Sequence, residues 1–148
     1  MKRINTLASI ASTAIVMCCA APAFADEHVY SEGEVVNISK IRTENGRFDD
    51  YMKYLDTTWK AEQEAFKKAG LITGYQVLTV EPRGTDDPDI ILIVRYKNWA
   101  EYDGWVTKYD EVMKQVEGSL SASETGMSQR DKIRRTLGSM TAQELKLK

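Results

Sequence analysis

The sequence predicts an α+β domain: a four-stranded antiparallel sheet with two helices packed on one face. Three observations lead there. Runs of β-branched residues alternate with two stretches of helical periodicity, in the order strand, helix, strand, strand, helix, strand. A segment dense in proline, glycine and aspartate separates the second and third strands, as a hairpin loop does. The third strand, Ile90-Ile91-Leu92-Ile93-Val94, is apolar on both faces and so demands cover on both.

The chain opens with a segment that reads as a cleaved secretory signal peptide, Met1 to Ala25. Lys2 and Arg3 give the charged start, Leu7 to Ala21 the apolar middle, and Ala23-Phe24-Ala25 the small-residue cleavage pattern. A retained membrane span is the competing reading, but Asn5, Thr6, Ser9, Ser12 and Thr13 dilute the run and Pro22 follows it. A lipid anchor on Cys18 or Cys19 lacks the small residue expected directly before it, since Ile15-Val16-Met17 stands there. Cleavage would leave a periplasmic or secreted protein starting at Asp26 with no cysteine, hence no disulfide, thiol nucleophile or thiolate-held metal. Residues 26–33 form a flexible lead and residues 34–148 a single domain. The mature chain keeps 18 basic and 22 acidic side chains, a net charge of −4, which argues against nucleic acid and anionic membranes as partners. No stable membrane insertion is expected after cleavage.

Glu34 to Arg42 is loosely alternating and β-branched and makes the first strand, with Val36 and Ile38 on one face. Asn45-Gly46 ends it. From Arg47 to Ala69 the residues Phe48, Tyr51, Met52, Leu55, Trp59 and Phe66 recur at steps of three and four, the stripe of an amphipathic helix. Lys67, Lys68 and Gly70 stop it. Gly74 to Glu81 and Asp89 to Tyr96 are the second and third strands. Asn98 and Glu101 have capping-box spacing for a second helix running to about Glu117, striped by Trp99, Tyr102, Val106, Tyr109, Val112, Met113 and Val116, with Gly104 its weak point. Ser119 to Gly126 reads as a polar connector, and Ser128 to Leu137 as a short basic helix stopped by Gly138. Thr141 to Lys148 alternates as a last strand, Leu145 and Leu147 on one side.

This is the βαββαβ order of a ferredoxin-like sheet with its helices on one face. Two helices cover one face only, and a second copy of the same sheet is the cover of matching size for the other, so a homodimer is expected. The element order, the uncovered face and the junction Arg95-Tyr96-Lys97-Asn98-Trp99-Ala100-Glu101-Tyr102 resemble the dimeric α/β-barrel superfamily, which includes antibiotic-biosynthesis-type monooxygenases, NIPSNAP-like and EthD-like proteins and haem-degrading enzymes. The resemblance spans about Glu34 to Glu117 and implies a dimeric barrel with a pocket beside each sheet. It does not select a chemistry.

The residues exclude more than they assign. His28, the one histidine, lies at the start of the mature chain, so histidine-based nucleophile schemes and the iron ligand of haem-degrading relatives have no counterpart. Asp86, Asp87 and Asp89 surround Pro88 without the glycine and distal glutamate of a calcium loop. No phosphate loop or dinucleotide fingerprint occurs, and neither a metal nor a bound cofactor is expected. The Arg130, Lys132, Arg134 and Arg135 group reads as a solvated helix side. Tyr51, Trp59, Tyr75, Tyr96, Trp99, Tyr102, Trp105 and Tyr109 supply much aromatic area, which at helical spacing is more often core than ligand box. Asn37 and Arg95 are polar residues within apolar strands, and a buried arginine would suit a carboxylate or enolate-like oxygen; alternatively Arg95 pairs with a surface carboxylate.

The residues support two functional readings. In the first, an exported dimeric barrel binds a small apolar or aromatic organic molecule, as a binder or as a cofactor-independent monooxygenase- or isomerase-like enzyme, with Asn37, Trp59, Tyr75, Arg95 and Trp99 as candidate ligand-binding residues. In the second, a non-catalytic structural or interaction module spends its aromatic residues on the dimer interface.

Overall fold

The computed structural model describes residues 28–148, except for the side chains of residues 117 and 120–124. The expected signal peptide, residues 1–25, lies outside the described residues. Four strands, β1 (Tyr30–Thr43), β2 (Gly74–Thr79), β3 (Ile90–Tyr96) and β4 (Arg134–Leu147), form one antiparallel sheet in the order β2-β3-β1-β4. The fold class is the expected α+β one, with ferredoxin-like strand order.

Register decides what each face carries. Val35 opposes Tyr96, Ser39 opposes Leu92 and Ile41 opposes Ile90, and these residues point toward the helices. Val36 opposes Arg95, Ile38 opposes Ile93 and Lys40 opposes Ile91, and these point away from them. On the helix side, Val35, Phe66, Ile72, Tyr96, Val112 and Met113 form one buried cluster, and Ile41, Tyr51, Leu55, Trp59, Ile90 and Leu92 another. Aromatic rings fill the first cluster: Phe66 stacks on Trp105 and Tyr109 at 5.8 and 5.4 Å, and Tyr96 meets Tyr102 at 4.9 Å. Where β1, β2 and β3 run side by side, by contrast, the outer face carries no aromatic side chain. The aromatic area is therefore largely spent inside one chain.

The first helical stretch occupies the predicted segment but is not uniform. Helix α1 (Phe48–Tyr54) passes through a π turn (Leu55–Trp59) into α2 (Lys60–Lys68), and the Lys60 N–H reaches back to the Leu55 carbonyl. A π turn holds more residues per revolution than an α turn, so the α2 residues are rotated relative to a regular continuation of α1. As a result both Glu62 and Gln63 face inward, each 7% exposed, beside Phe66. Phe48, expected in the stripe, is 40% exposed at the helix start.

Several boundaries differ from expectation, each for a local reason. β1 begins at Tyr30, inside the segment 26–33 read as flexible, because β4 runs equally far and pairs Leu147 with Tyr30 and Leu145 with Glu32. Beyond the reach of β3 the two make a bare two-stranded ribbon, and Leu145 and Leu147 stay 52% and 83% exposed. The predicted second helix divides: Asn98 caps a 3₁₀ turn (Trp99–Tyr102) by accepting from the Ala100 N–H at 3.0 Å, and Gly104, at φ 66°, opens α3 (Trp105–Glu117). The break resets the phase, so Trp105 and Tyr109 pack inward and Val106 is 72% exposed. The polar connector is helical, α4 (Leu120–Arg130), and the expected basic helix ends early, its Arg134 to Leu137 portion belonging to β4. There the backbone N–H and C=O groups gain β1 as partner, with a register shift opposite Lys40 and Ile41.

Ile90 sits fully buried at the start of the central strand. Ile90→Ala is expected to lower stability by about 2–5 kcal/mol through lost burial and a residual cavity, measured as a reduced urea midpoint with an unchanged denaturant slope.

Candidate functional site

A cavity of about 170 Å³ lies between the sheet and the first helical stretch. The sheet contributes Ser39, Ile41 and Leu92; the helical stretch contributes Tyr51, Tyr54, Trp59 and Glu62; and the corner where α4 gives way to β4 contributes Arg130, Arg134 and Thr136. At roughly 30 Å³ per water, the space suits about six waters or one small organic molecule. An outer groove of about 410 Å³, bounded by Asp50, Thr58, Gly126, Gln129 and Ile133, shares Tyr54 and Arg130 with the cavity. These two residues thus stand between the interior and the surface.

Their contacts fix them there. The Arg130 guanidinium lies over the Tyr54 ring, 5.0 Å from its centroid, and Tyr54 stacks on Tyr51 at 5.8 Å. Arg134 has a side chain only 14% exposed, with Nη1 donating to Thr136 Oγ1 and standing 3.7 Å from Asp131 Oδ1. Burial pushes the Tyr51 phenol up and the Tyr54 phenol well above the usual tyrosine range; Glu62 adds to this in both, while Arg130 and Arg134 oppose it. Both phenols therefore remain neutral hydrogen-bond donors at ordinary pH.

The five residues singled out from the sequence are dispersed. Trp59 lines the cavity and meets Tyr75 edge-on at 5.3 Å, and together they line a shallower apolar groove of about 180 Å³ with Met52, Leu55 and Val77. The Tyr75 hydroxyl donates to Glu64 Oε1 at 2.6 Å, a bond that raises its pKa. Asn37 lies on the helix side near β4 and donates through Nδ2 to Thr141 Oγ1 at 3.2 Å. Trp99 is half exposed and donates to Gln143 Oε1 at 2.9 Å. Arg95 points to the outer face, where its Nη1 lies 3.9 Å from Glu34 Oε2.

Sequence reasoning passed over Glu62 and assigned Arg130 and Arg134 to a solvated helix side. A signal for Glu62 existed: it falls between Trp59 and Phe66 on the apolar stripe, where a carboxylate is costly without a purpose. The arginines had none, because their placement depends on α4 ending at Arg130 and the chain turning into the sheet. The acidic turn is used internally: Asp87 Oδ2 accepts from the Arg83 and Gly84 N–H groups, and Asp89 from the Thr43 backbone and hydroxyl. Among the described residues no group of three histidine, cysteine, aspartate or glutamate side chains is placed to hold a metal ion, and no helix is long and apolar enough to cross a membrane.

No protein-family model matches the chain, and no curated protein matches it. Among solved structures, HapK from Hahella chejuensis superposes with a TM-score of 0.50 at 10% identity, over 74% of this chain and 91% of HapK. The chain has a ferredoxin-like fold. A protein from an uncultured marine organism, described as dimeric and ferredoxin-like, aligns at a TM-score of 0.48 and 12% identity, over 80% of this chain and 90% of its own. At such identities what is shared is the fold.

The buried phenols give the site a pH signature. The folded state keeps the Tyr51 and Tyr54 protons above the ordinary value of 10.0, whereas the unfolded chain releases them. Their contribution is complete below that pH and is lost as pH rises toward the folded-state values. Urea midpoints taken from about pH 9 to pH 11 should fall, and fall less steeply in Tyr54→Phe, which has no phenol to ionise.

Proposed function

We propose that this protein is exported and forms a homodimer that binds a small organic molecule in the cavity beneath its first helical stretch. The observation that supports this reading most is the cavity's composition: beside the apolar Ile41, Trp59 and Leu92, the helix-to-sheet interface holds a carboxylate, two guanidiniums, two phenols and the hydroxyls of Ser39 and Thr136 around open space. A structural filler would use aliphatic side chains there, since unneeded polar groups cost stability. Trp59, Ile41 and Leu92 supply apolar walls and the polar groups orient the guest.

The outer face supports the dimer. Val36, Ile38, Ile91 and Ile93 lie side by side on it, with Leu78 38% and Met140 47% exposed at its margins. Such a patch in a lone sheet is a site for apolar cover, and a second copy presents a face of the same size and character. Export is supported by the charged, apolar and small-residue succession in residues 1–25.

One measurement tests all three parts. Native mass spectrometry of the protein from an exporting bacterial host should give twice the mass of a chain starting at Asp26, with additional mass from a retained ligand; a monomer, or a chain still carrying its first 25 residues, contradicts the corresponding part. Ile93→Glu, which puts a charge in the middle of the outer face, should convert the dimer to a folded monomer with unchanged far-ultraviolet circular dichroism.

A further inference from the structure

We infer that the cavity takes an anion, specifically a small aromatic carboxylate, and that Arg134 with Arg130 is its anchor. This rests on the ligand-binding reading above and adds the ligand's chemistry to it.

Charge is the first argument. The ionisable lining residues other than the tyrosines are Glu62, Arg130 and Arg134, so the walls carry one more positive than negative group. That local excess stands inside a chain whose overall charge is negative. A monoanion is the complement of that local excess of positive charge.

Hydrogen bonding is the second. Arg134 Nη1 has Thr136 and the exposed Asp131 as neighbours, but Nε is buried and has no hydrogen-bond partner. Leaving such a donor unpaired is costly, and more so on a charged group. Arg130 is held over the Tyr54 ring, a contact that supplies attraction but no conventional acceptor. Two guanidiniums four residues apart, one closing α4 and the other opening β4, thus line the same cavity with donor capacity to spare. A carboxylate fits it better than an alcohol or amide, because it accepts from several donors at once. The Glu62 carboxylate disfavours a second anionic group, and the neutral Tyr51 and Tyr54 hydroxyls offer further donors. Trp59 and Leu92 supply walls for a ring.

Benzoate and its neutral counterpart benzamide are the probes. With the tryptophans replaced biosynthetically by 5-fluorotryptophan, and the Trp59 resonance assigned by Trp59→Phe, ¹⁹F NMR titration reports binding at this wall. Benzoate should shift the Trp59 resonance and bind at least about tenfold more tightly than benzamide, as expected for one charge-assisted contact. Arg134→Gln should abolish the preference for benzoate over benzamide, while Arg134→Lys should keep part of it. Equal affinity of the two probes for the native protein, each shifting Trp59, overturns the anion inference and leaves the ligand-binding reading standing. Failure of both to shift Trp59 overturns the two together. The benzoate-to-benzamide comparison needs no variant, so poor folding of Arg134→Gln does not protect the inference.

Discussion

The central pairing of β1 with β3 constrains nearly everything else in the molecule. β3 lies between β2 and β1 and is apolar on alternate residues of both faces, so Ile90 and Leu92 require helices on one side and Ile91 and Ile93 require cover on the other. A one-residue slip of β3 would bring Ile91, Ile93 and Arg95 under the helices, and one of β1 would bring Lys40 there, which makes register strongly specified. The helix-side face then determines where an internal cavity can exist, and the outer face where an assembly can form. The two potential functions of the sheet are thereby kept on opposite sides of a single layer.

Much of this arrangement was legible in the sequence. Strands rich in isoleucine and valine, the stripe from Tyr51 to Phe66 and the loop around Pro88 each carry a local signal that agrees with the fold. The uneven cover of Ile90 to Val94 pointed to the outer face. What escaped was decided by tertiary contact. The residues after Gly118 have weak amphipathic character, and Arg134 to Leu137 reads equally well as helix or strand until β1 is available as a partner. The break at Gly104 was visible as a weakness, but its consequence, the exposure of Val106 and the inward turn of Trp105, depends on a left-handed glycine that propensity alone does not specify.

The candidate site shows the same division. Aromatic residues invite a ligand reading from sequence, yet most are packing elements, and Asn37, Arg95 and Trp99 find partners in Thr141, Glu34 and Gln143. The cavity owes its character to residues whose type looked ordinary: a glutamate in a helix stripe and two arginines in a basic run. The π turn contributes here, because the rotation it introduces places both Glu62 and Gln63 on the buried side. π turns recur at functional positions for this reason: an extra residue re-aims side chains without ending the helix.

The last strand gives the cavity an unusual mechanical setting. β4 is an edge strand, joined to the sheet through β1 alone, and Arg134 is its first residue. Edge strands and their adjoining turns open locally at lower free energy than the centre of a sheet. Any guest held by Arg134 would clamp the first rung of that ladder, so its residence time and the amide-exchange protection of β4 would rise and fall together. Recognition would then be read out some distance away, along the ribbon that β4 shares with the beginning of β1.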